Sequence, residues 1–432
     1  MFAENLIIYF VLLIEGEEAF LKHIEIILMT LLLMLVSLPV YAAEGKIQLL
    51  WTNAEDAVMY ELEVSRVYVD KDDYAPRDKV VYTTTAIYTP GVELDLSLFK
   101  DYNLRKLYYR VRPLDYEKKP VGHFSRPVAL EKLKKNTIKP TTTVSYKNCP
   151  APVYMVYAWI PVLNAAKYQI EITNHSPENP NGVTPSTYRV RTYTADKGFD
   201  YYDLEPYIES GNYYWRVMAL NNENQPIGVY SDAVAFKVEK RSYKWGAFGD
   251  SITHGGGAIS NPPSDPRFNY FTYLPVEVKN LGRSGDTAEM LDNRFEQDVL
   301  PFKPKYLIIL GGSNSLRGGA SAQEVIQSLA DIKQKCLDND IRPIFLTIPP
   351  LNPERIRQVF NQPTAENWQE ELAAVNDFLK TQPDVIDIYS VLVDESGCLP
   401  IKYSQDGLHP DISGKRLMGK AIKDYIKEHQ LK

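Results

Sequence analysis

Cysteine is nearly absent from this chain. Cys149, Cys336 and Cys398 are far apart and odd in number, so they specify neither a disulfide framework nor a zinc site, and at most one disulfide can form. A basic excess is missing too. Against 55 Asp and Glu stand 48 Lys and Arg, a net charge of −7 that makes nucleic acid a poor partner. Histidine is scarce, at six residues, and no pair has the His-x-x-x-His spacing of a helical metal site, so no metal and no other cofactor is expected. Helical periodicity is missing from about residue 45 to residue 240. What is abundant is tyrosine, at 30 residues, which favours strands. With 432 residues the chain is long enough for two to four units.

Residues 26–43 are almost continuously apolar and end in Leu38-Pro39-Val40-Tyr41-Ala42-Ala43-Glu44, with small residues where a signal peptidase cuts. Residues 1–43 therefore read as a leader, and the protein as secreted, periplasmic or on the cell surface. The first 20 residues carry four glutamates and no lysine or arginine, which is wrong for a signal n-region, whereas Lys22 and His23 directly precede the apolar run. Translation from near Leu21 gives a conventional signal peptide. An uncleaved membrane anchor is the alternative, since a run of this length can just span a bilayer.

Between the leader and residue 240 the sequence repeats. Trp51 is followed nine residues later by Tyr60-Glu61-Leu62-Glu63-Val64, and Trp159 is followed nine residues later by Tyr168-Gln169-Ile170-Glu171-Ile172. Further on, Tyr108-Tyr109-Arg110-Val111 with Gly122-His123-Phe124-Ser125 matches Tyr214-Trp215-Arg216-Val217 with Gly228-Val229-Tyr230-Ser231. Alternation of this kind makes half-buried strands, and several of them separated by turns make a β-sandwich. The two copies, 44–133 and 139–240, resemble fibronectin type III domains. Trp51 and Trp159 begin alternating strands and are expected in the cores. The sandwiches are expected to act as spacers; binding of a polysaccharide through exposed tyrosines is the alternative. Residues 132–150 read as the linker between them and 239–243 as the junction to the last domain.

From residue 244 strand and helix alternate. Apolar runs at 244–248, 276–280, 306–310, 344–348 and 385–389 are separated by helical stretches at 288–300, 320–338 and 365–380, and a last helix covers about 412–428. The fold class expected is thus two all-β sandwiches followed by an α/β domain, 244–432, with a parallel sheet flanked by helices and its ligand site at the carboxyl ends of the strands.

At those strand ends stand four blocks: Gly249-Asp250-Ser251-Ile252-Thr253, Asn280-Leu281-Gly282-Arg283-Ser284-Gly285, Gly311-Gly312-Ser313-Asn314 and Asp406-Gly407-Leu408-His409-Pro410. Ser251 is a candidate nucleophile, and His409 can take its proton while Asp406 orients the imidazole. The N–H of Ser251, the N–H of Gly282 and the carboxamide of Asn314 are candidate oxyanion donors. Each has a plainer reading as a turn, a cap or a loop residue. His254 is a rival base, disfavoured because a side chain three residues downstream on a turning loop seldom meets the nucleophile. The four blocks resemble those of the SGNH (GDSL) hydrolase family, which implies a flavodoxin-like three-layer fold, Ser251 as nucleophile, His409 as base, Asp406 as orienting acid, and Ser251, Gly282 and Asn314 as the oxyanion hole. Ser315 departs from the Asp found there in many members.

The expectation is a serine esterase releasing small acyl groups, acetyl first, from a polysaccharide, with no protein partner indicated. Its rivals are a lysophospholipase or thioesterase, an acyltransferase using the same acyl-enzyme, and an inactive adhesion or scaffold protein. Loops 255–271 and 352–368 are expected to set specificity, with Phe360 and Trp368 either lining the site or packing beneath it. Mass spectrometry of the mature protein is expected to find an N-terminus at Ala43 or Glu44; an intact residue 1 would instead establish the anchor.

Overall fold

The computed structural model describes residues 45–70, 75–132, 139–143, 150–257 and 265–431. The leader, Cys149, most of the expected linker and part of the loop after Gly257 lie outside the described residues. Among the described residues no helix is long and apolar enough to cross a membrane.

The first sandwich contains β1 (Lys46–Leu50), β2 (Met59–Ser65), β3 (Val80–Ile87), β4 (Gly91–Asp95), β5 (Tyr108–Leu114) and β6 (Val128–Ala129). β1 pairs with β4, and the other four run β3-β2-β5-β6. The second contains β7 (Val156–Ala158), β8 (Lys167–Thr173), β9 (Arg189–Asp196), β10 (Asp200–Tyr202), β11 (Gly211–Leu220), β12 (Pro226–Ile227) and β13 (Val234–Val238). Here β10 pairs with β7, and the larger sheet runs β12-β11-β8-β9 with β13 also on β11.

The sequence repeat is a repeat of contacts. Tyr60 and Tyr168 each accept, at 2.8 Å, the N–H of the residue six positions earlier, Ala54 and Val162. Each lies against the tryptophan of its copy. Trp159 is fully buried, whereas Trp51 is only partly covered. In both copies an arginine on the central strand bonds a glutamate on its neighbour and lies 4.0 Å over an aromatic ring: Arg110 with Glu63 and Phe124, Arg216 with Glu171 and Tyr230. Ser125 and Ser231 accept the N–H of Val111 and Val217. Side-chain acceptors thus take backbone donors in the loops and at mid-strand positions in the same places of both copies.

In the last domain β14 (Trp245–Gly249), β15 (Val278–Gly282), β16 (Tyr306–Leu310), β17 (Arg342–Leu346) and β18 (Val385–Ile386) form one parallel sheet in the order β15-β14-β16-β17-β18. Its helices are α1 (Ser251–His254), α2 (Ala288–Asp298), α3 (Ser313–Arg317), α4 (Ala322–Asp338), α5 (Pro353–Phe360), α6 (Trp368–Lys380), α7 (Tyr389–Leu392) and α8 (Ile412–Glu428). Since β14 precedes both of its neighbours, the strand order reverses at its carboxyl end, the crevice in which open α/β sheets bind ligands. Two elements differ from the sequence reading. β18 stops at Ile386 because Asp387 turns the chain, accepting from Ser390 N–H and Thr347 Oγ1. Residues 353–360 are helical, started by the Asn352 side chain capping Arg355 N–H and by Pro353 in the first turn.

The sandwiches pack against the last domain. Ahead of β7, Val153 N–H donates to Asn280 O on β15 (3.1 Å), Lys279 Nζ donates to Ala151 O (2.7 Å), and Tyr154 Oη donates to Asp298 (2.7 Å). His254 Nε2 donates to Tyr154 O (2.8 Å), which leaves Nδ1 to accept from Ser284. The first sandwich docks as well: Glu55 pairs with Arg416, Glu117 with Arg355, and Tyr116 Oη donates to Gln358 O. Gly45–Lys432 is one compact unit.

Two outcomes are expected. Arg216 is 1% and Glu171 0% exposed, so Glu171→Ala strands a buried cation and should lower stability by about 3–5 kcal/mol. The pair replacement Glu171→Leu with Arg216→Met should cost less, as read from guanidinium unfolding. Burial pushes His254 down to about 4 from its ordinary 6.5. Its neutral form therefore contributes fully above pH 6.5, and the contribution falls as pH drops from 6.5 through 4. Over that interval wild type should lose more stability than His254→Gln.

Candidate active site

Ser251 stands where β14 gives way to α1. Asp250 makes the turn, its Oδ1 accepting Ile252 N–H (2.9 Å), and Ser251 becomes the first helical residue. Gly249 is required here, because a Cβ would lie 2.2 Å from Leu310 O on β16. At the other end of the domain, Asp406 precedes a turn in which its Oδ1 accepts the N–H groups of Leu408 (2.8 Å) and His409 (2.7 Å). Its Oδ2 meets His409 Nδ1 at 2.9 Å, and His409 Nε2 meets Ser251 Oγ at 2.8 Å. Asp406 is 1% exposed; burial pushes its carboxyl up, but His409 and the backbone donors outweigh that and hold it below the usual range. In this series the imidazole can accept a proton from the hydroxyl, while the carboxylate holds the ring in place and stabilises its charged form.

Asn314, on α3 directly after β16, donates one Nδ2 hydrogen to Asp286 O (2.9 Å) and keeps a second donor. Ser315 supports the same loop, its Oγ accepting Ala288 N–H at 2.9 Å.

Gly282 does not belong to this group, contrary to the sequence expectation. It ends β15, its N–H is given to Asn280 Oδ1 (3.0 Å), and a Cβ there would strike the His254 backbone at 2.3 Å. It is needed for close packing of α1 and cannot offer a donor to the cleft. Gly285, three residues on, lines the cleft with Ser251 and Asn314 at φ 91°, and a Cβ there would meet nothing within 4 Å. Both glycines lie in one block, and only the path of the turn tells them apart.

His254, the rival base, is buried and committed to Tyr154 and Ser284. Phe360 lies edge-on to His409 at 6.1 Å and lines the cleft, whereas Trp368 packs into the core beneath.

Arg294 belongs to none of the four sequence blocks. Buried on α2, it bonds Asp286, Asp298, Leu281 O and Gly249 O, and so ties the carboxyl ends of β14 and β15 to the loop carrying Gly285. Its one sequence signal is a charged pair, Arg294 and Asp298, four residues apart on the apolar face of the helix. Beneath Ser251 lies Lys415, fully buried and donating to Ile252 O, with the carboxyls of Asp250 and Asp411 nearby. Burial pushes this lysine down to about 7 and Asp250 up to about 6.

The cleft has a volume of about 380 Å³, and its walls mix charged and aromatic side chains. That is small-ligand size.

Residues 247–417 match the family model of the GDSL-like lipase/acylhydrolase family. An uncharacterized lipoprotein, YqeF, of Bacillus subtilis (strain 168) is 30% identical over 116 residues, 24% of this chain. The chain spans about half, 48%, of the length of that curated relative. Among solved structures, a lipase/acylhydrolase from Enterococcus faecalis is 22% identical, covering 44% of this chain and 97% of its own, with a TM-score of 0.36. A GDSL-like lipase from Bacteroides thetaiotaomicron is 23% identical, covering 44% and 89%, with a TM-score of 0.34. The C-terminal part of the chain, residues 247–417, is a GDSL-like lipase/acylhydrolase domain.

Proposed function

We propose that the protein is an exported serine esterase that hydrolyses small acyl esters, acetyl first among them, of a polysaccharide. The observation that carries this reading is the unbroken hydrogen-bonded series Asp406–His409–Ser251 at the wall of the cleft. Ser251 Oγ attacks the ester carbonyl as His409 Nε2 takes its proton, forming a tetrahedral oxyanion. The C–O bond to the alcohol then breaks, and His409 returns the proton to the leaving oxygen. Water, deprotonated by His409, attacks the acyl-enzyme and releases the acid and Ser251. The oxyanion is met by the N–H groups of Ser251 and Gly285 and by the second Nδ2 hydrogen of Asn314. Asp406, kept ionised by its donors, stabilises the imidazolium formed along the way.

A small acyl group on a polar alcohol is favoured over a lipid because Asp200, Arg317 and Gln362 line the cleft. A long alkyl chain placed against them would take their water and return no hydrogen bond. Export rests on the signal-like leader, and the name of the Bacillus relative, a lipoprotein, points the same way.

Ser251→Ala should lower kcat/KM for p-nitrophenyl acetate by about 10⁴-fold or more, and Asn314→Ala should lower kcat by about 10²- to 10³-fold. Wild-type protein should turn over the acetate ester faster than the palmitate. Equal rates for Ser251→Ala and wild type would remove the catalytic reading, and a preference for palmitate the deacylation of small esters.

A further inference from the structure

Two cleft residues come from outside the hydrolase domain. Asp200 and Tyr202, on β10 of the second sandwich, line the same cavity as Ser251, Asn314 and His409. Alternation along the strand puts them on one face and Tyr201 on the other, where it stacks on Tyr193 at 4.9 Å in the sandwich. The strand is held in place: Asp200 pairs with Ala158 and Tyr202 with Val156 on β7, and the chain entering β7 is hydrogen-bonded to β15 and to His254. Tyr202 lies edge-on to His254, 6.2 Å between ring centroids, and remains 37% exposed toward the cleft.

Among the described residues no side chain pairs with the Asp200 carboxylate, and burial raises it to about 6. Arg317 is in the same cavity; its guanidinium donates to Gln362 Oε1 (2.7 Å), and its buried Nε has no acceptor. An acyl methyl or a plain alkyl alcohol gives these groups nothing. A cationic alcohol would suit Asp200 but face Arg317, and an anionic one the reverse. A neutral polyol uses both, its hydroxyls donating to the carboxylate and accepting from the guanidinium, while its C–H face covers an aromatic ring.

We propose that the second sandwich is a specificity element of this site, in which Asp200 and Tyr202 bind the alcohol half of the ester as a neutral sugar ring with free hydroxyls. This rests on the esterase reading above. A site built to hydrogen-bond hydroxyls rejects an alcohol that lacks them, because its own polar groups are left unpaired.

The test compares 6-O-acetylglucose with ethyl acetate, which deliver the same acetyl group, by pH-stat on the full chain. Wild type should favour the sugar ester, and Asp200→Ala and Tyr202→Ala should each reduce that preference by about tenfold to a hundredfold, chiefly through KM. Tyr202→Phe, which keeps the ring, should hold the preference within about threefold of wild type. An unchanged preference in both alanine variants overturns the proposal, as does a parallel loss on both esters, the mark of a merely structural wall. Faster turnover of acetylcholine than of the sugar ester overturns it in favour of a cationic alcohol. The esterase reading fails separately, if Ser251→Ala keeps the wild-type rate on ethyl acetate.

Discussion

The molecule depends on how the edge of its parallel sheet is covered. β15 is an edge strand, and an edge leaves backbone groups that need partners. Residues 151–155 lie along it and supply one, the N–H of Val153. Val153 bonds Asn280, Lys279 reaches Ala151, and Val153 and Tyr154 sink into the hydrolase core. A few residues later the same chain becomes β7 of the second sandwich, so the cover of the sheet and the sandwich are one piece of backbone. This short connection fixes β10 at the mouth of the cleft and makes two domains behave as one wall.

His254 sits at the centre of that junction. Its two ring nitrogens join Tyr154, from the segment covering the sheet, to Ser284, from the loop carrying Gly285, and its carbonyl accepts from Asn269 and Asn280. A buried imidazole of lowered basicity is suited to this, because it stays neutral while donating with one nitrogen and accepting with the other. The histidine nearest Ser251 in sequence is thus a joint, and the distant His409 meets the serine hydroxyl. Arg294 performs a similar service from the other side by binding carbonyls at the ends of β14 and β15.

Much of this architecture was legible in the residues. The tryptophan and tyrosine spacings marked two copies of a sandwich, and the change of period at residue 244 marked the α/β domain, because strand and helix periodicity arise locally from which face is buried. Five strands lie where apolar runs stand, with ends displaced by up to three residues, and the last helix, Ile412–Glu428, has the expected limits. Ser251, Asn314, Asp406 and His409 are legible as a group because strand ends converge in a parallel sheet. The turn after β15 was less readable. Gly282 and Gly285 have the same chemistry, and the backbone path that turns the Gly282 N–H onto Asn280 and brings Gly285 to the cleft is set by tertiary contacts such as that of Gly282 with α1.

By itself, then, the sequence determined the elements, their order and the set of side chains that a parallel sheet gathers at its switch point, since these follow from local periodicity and chain connectivity. Only the tertiary structure decided that the second sandwich contributes a wall of the cleft. Domain docking is written in single contacts between residues far apart in sequence, such as Tyr154 with Asp298 and Glu117 with Arg355, and such pairs leave no periodic trace. The placement of Asp200 and Tyr202 beside Ser251 has the same origin. It comes from an antiparallel pairing of two three-residue strands, too short to announce themselves in sequence and held by the sheet edge that their chain covers.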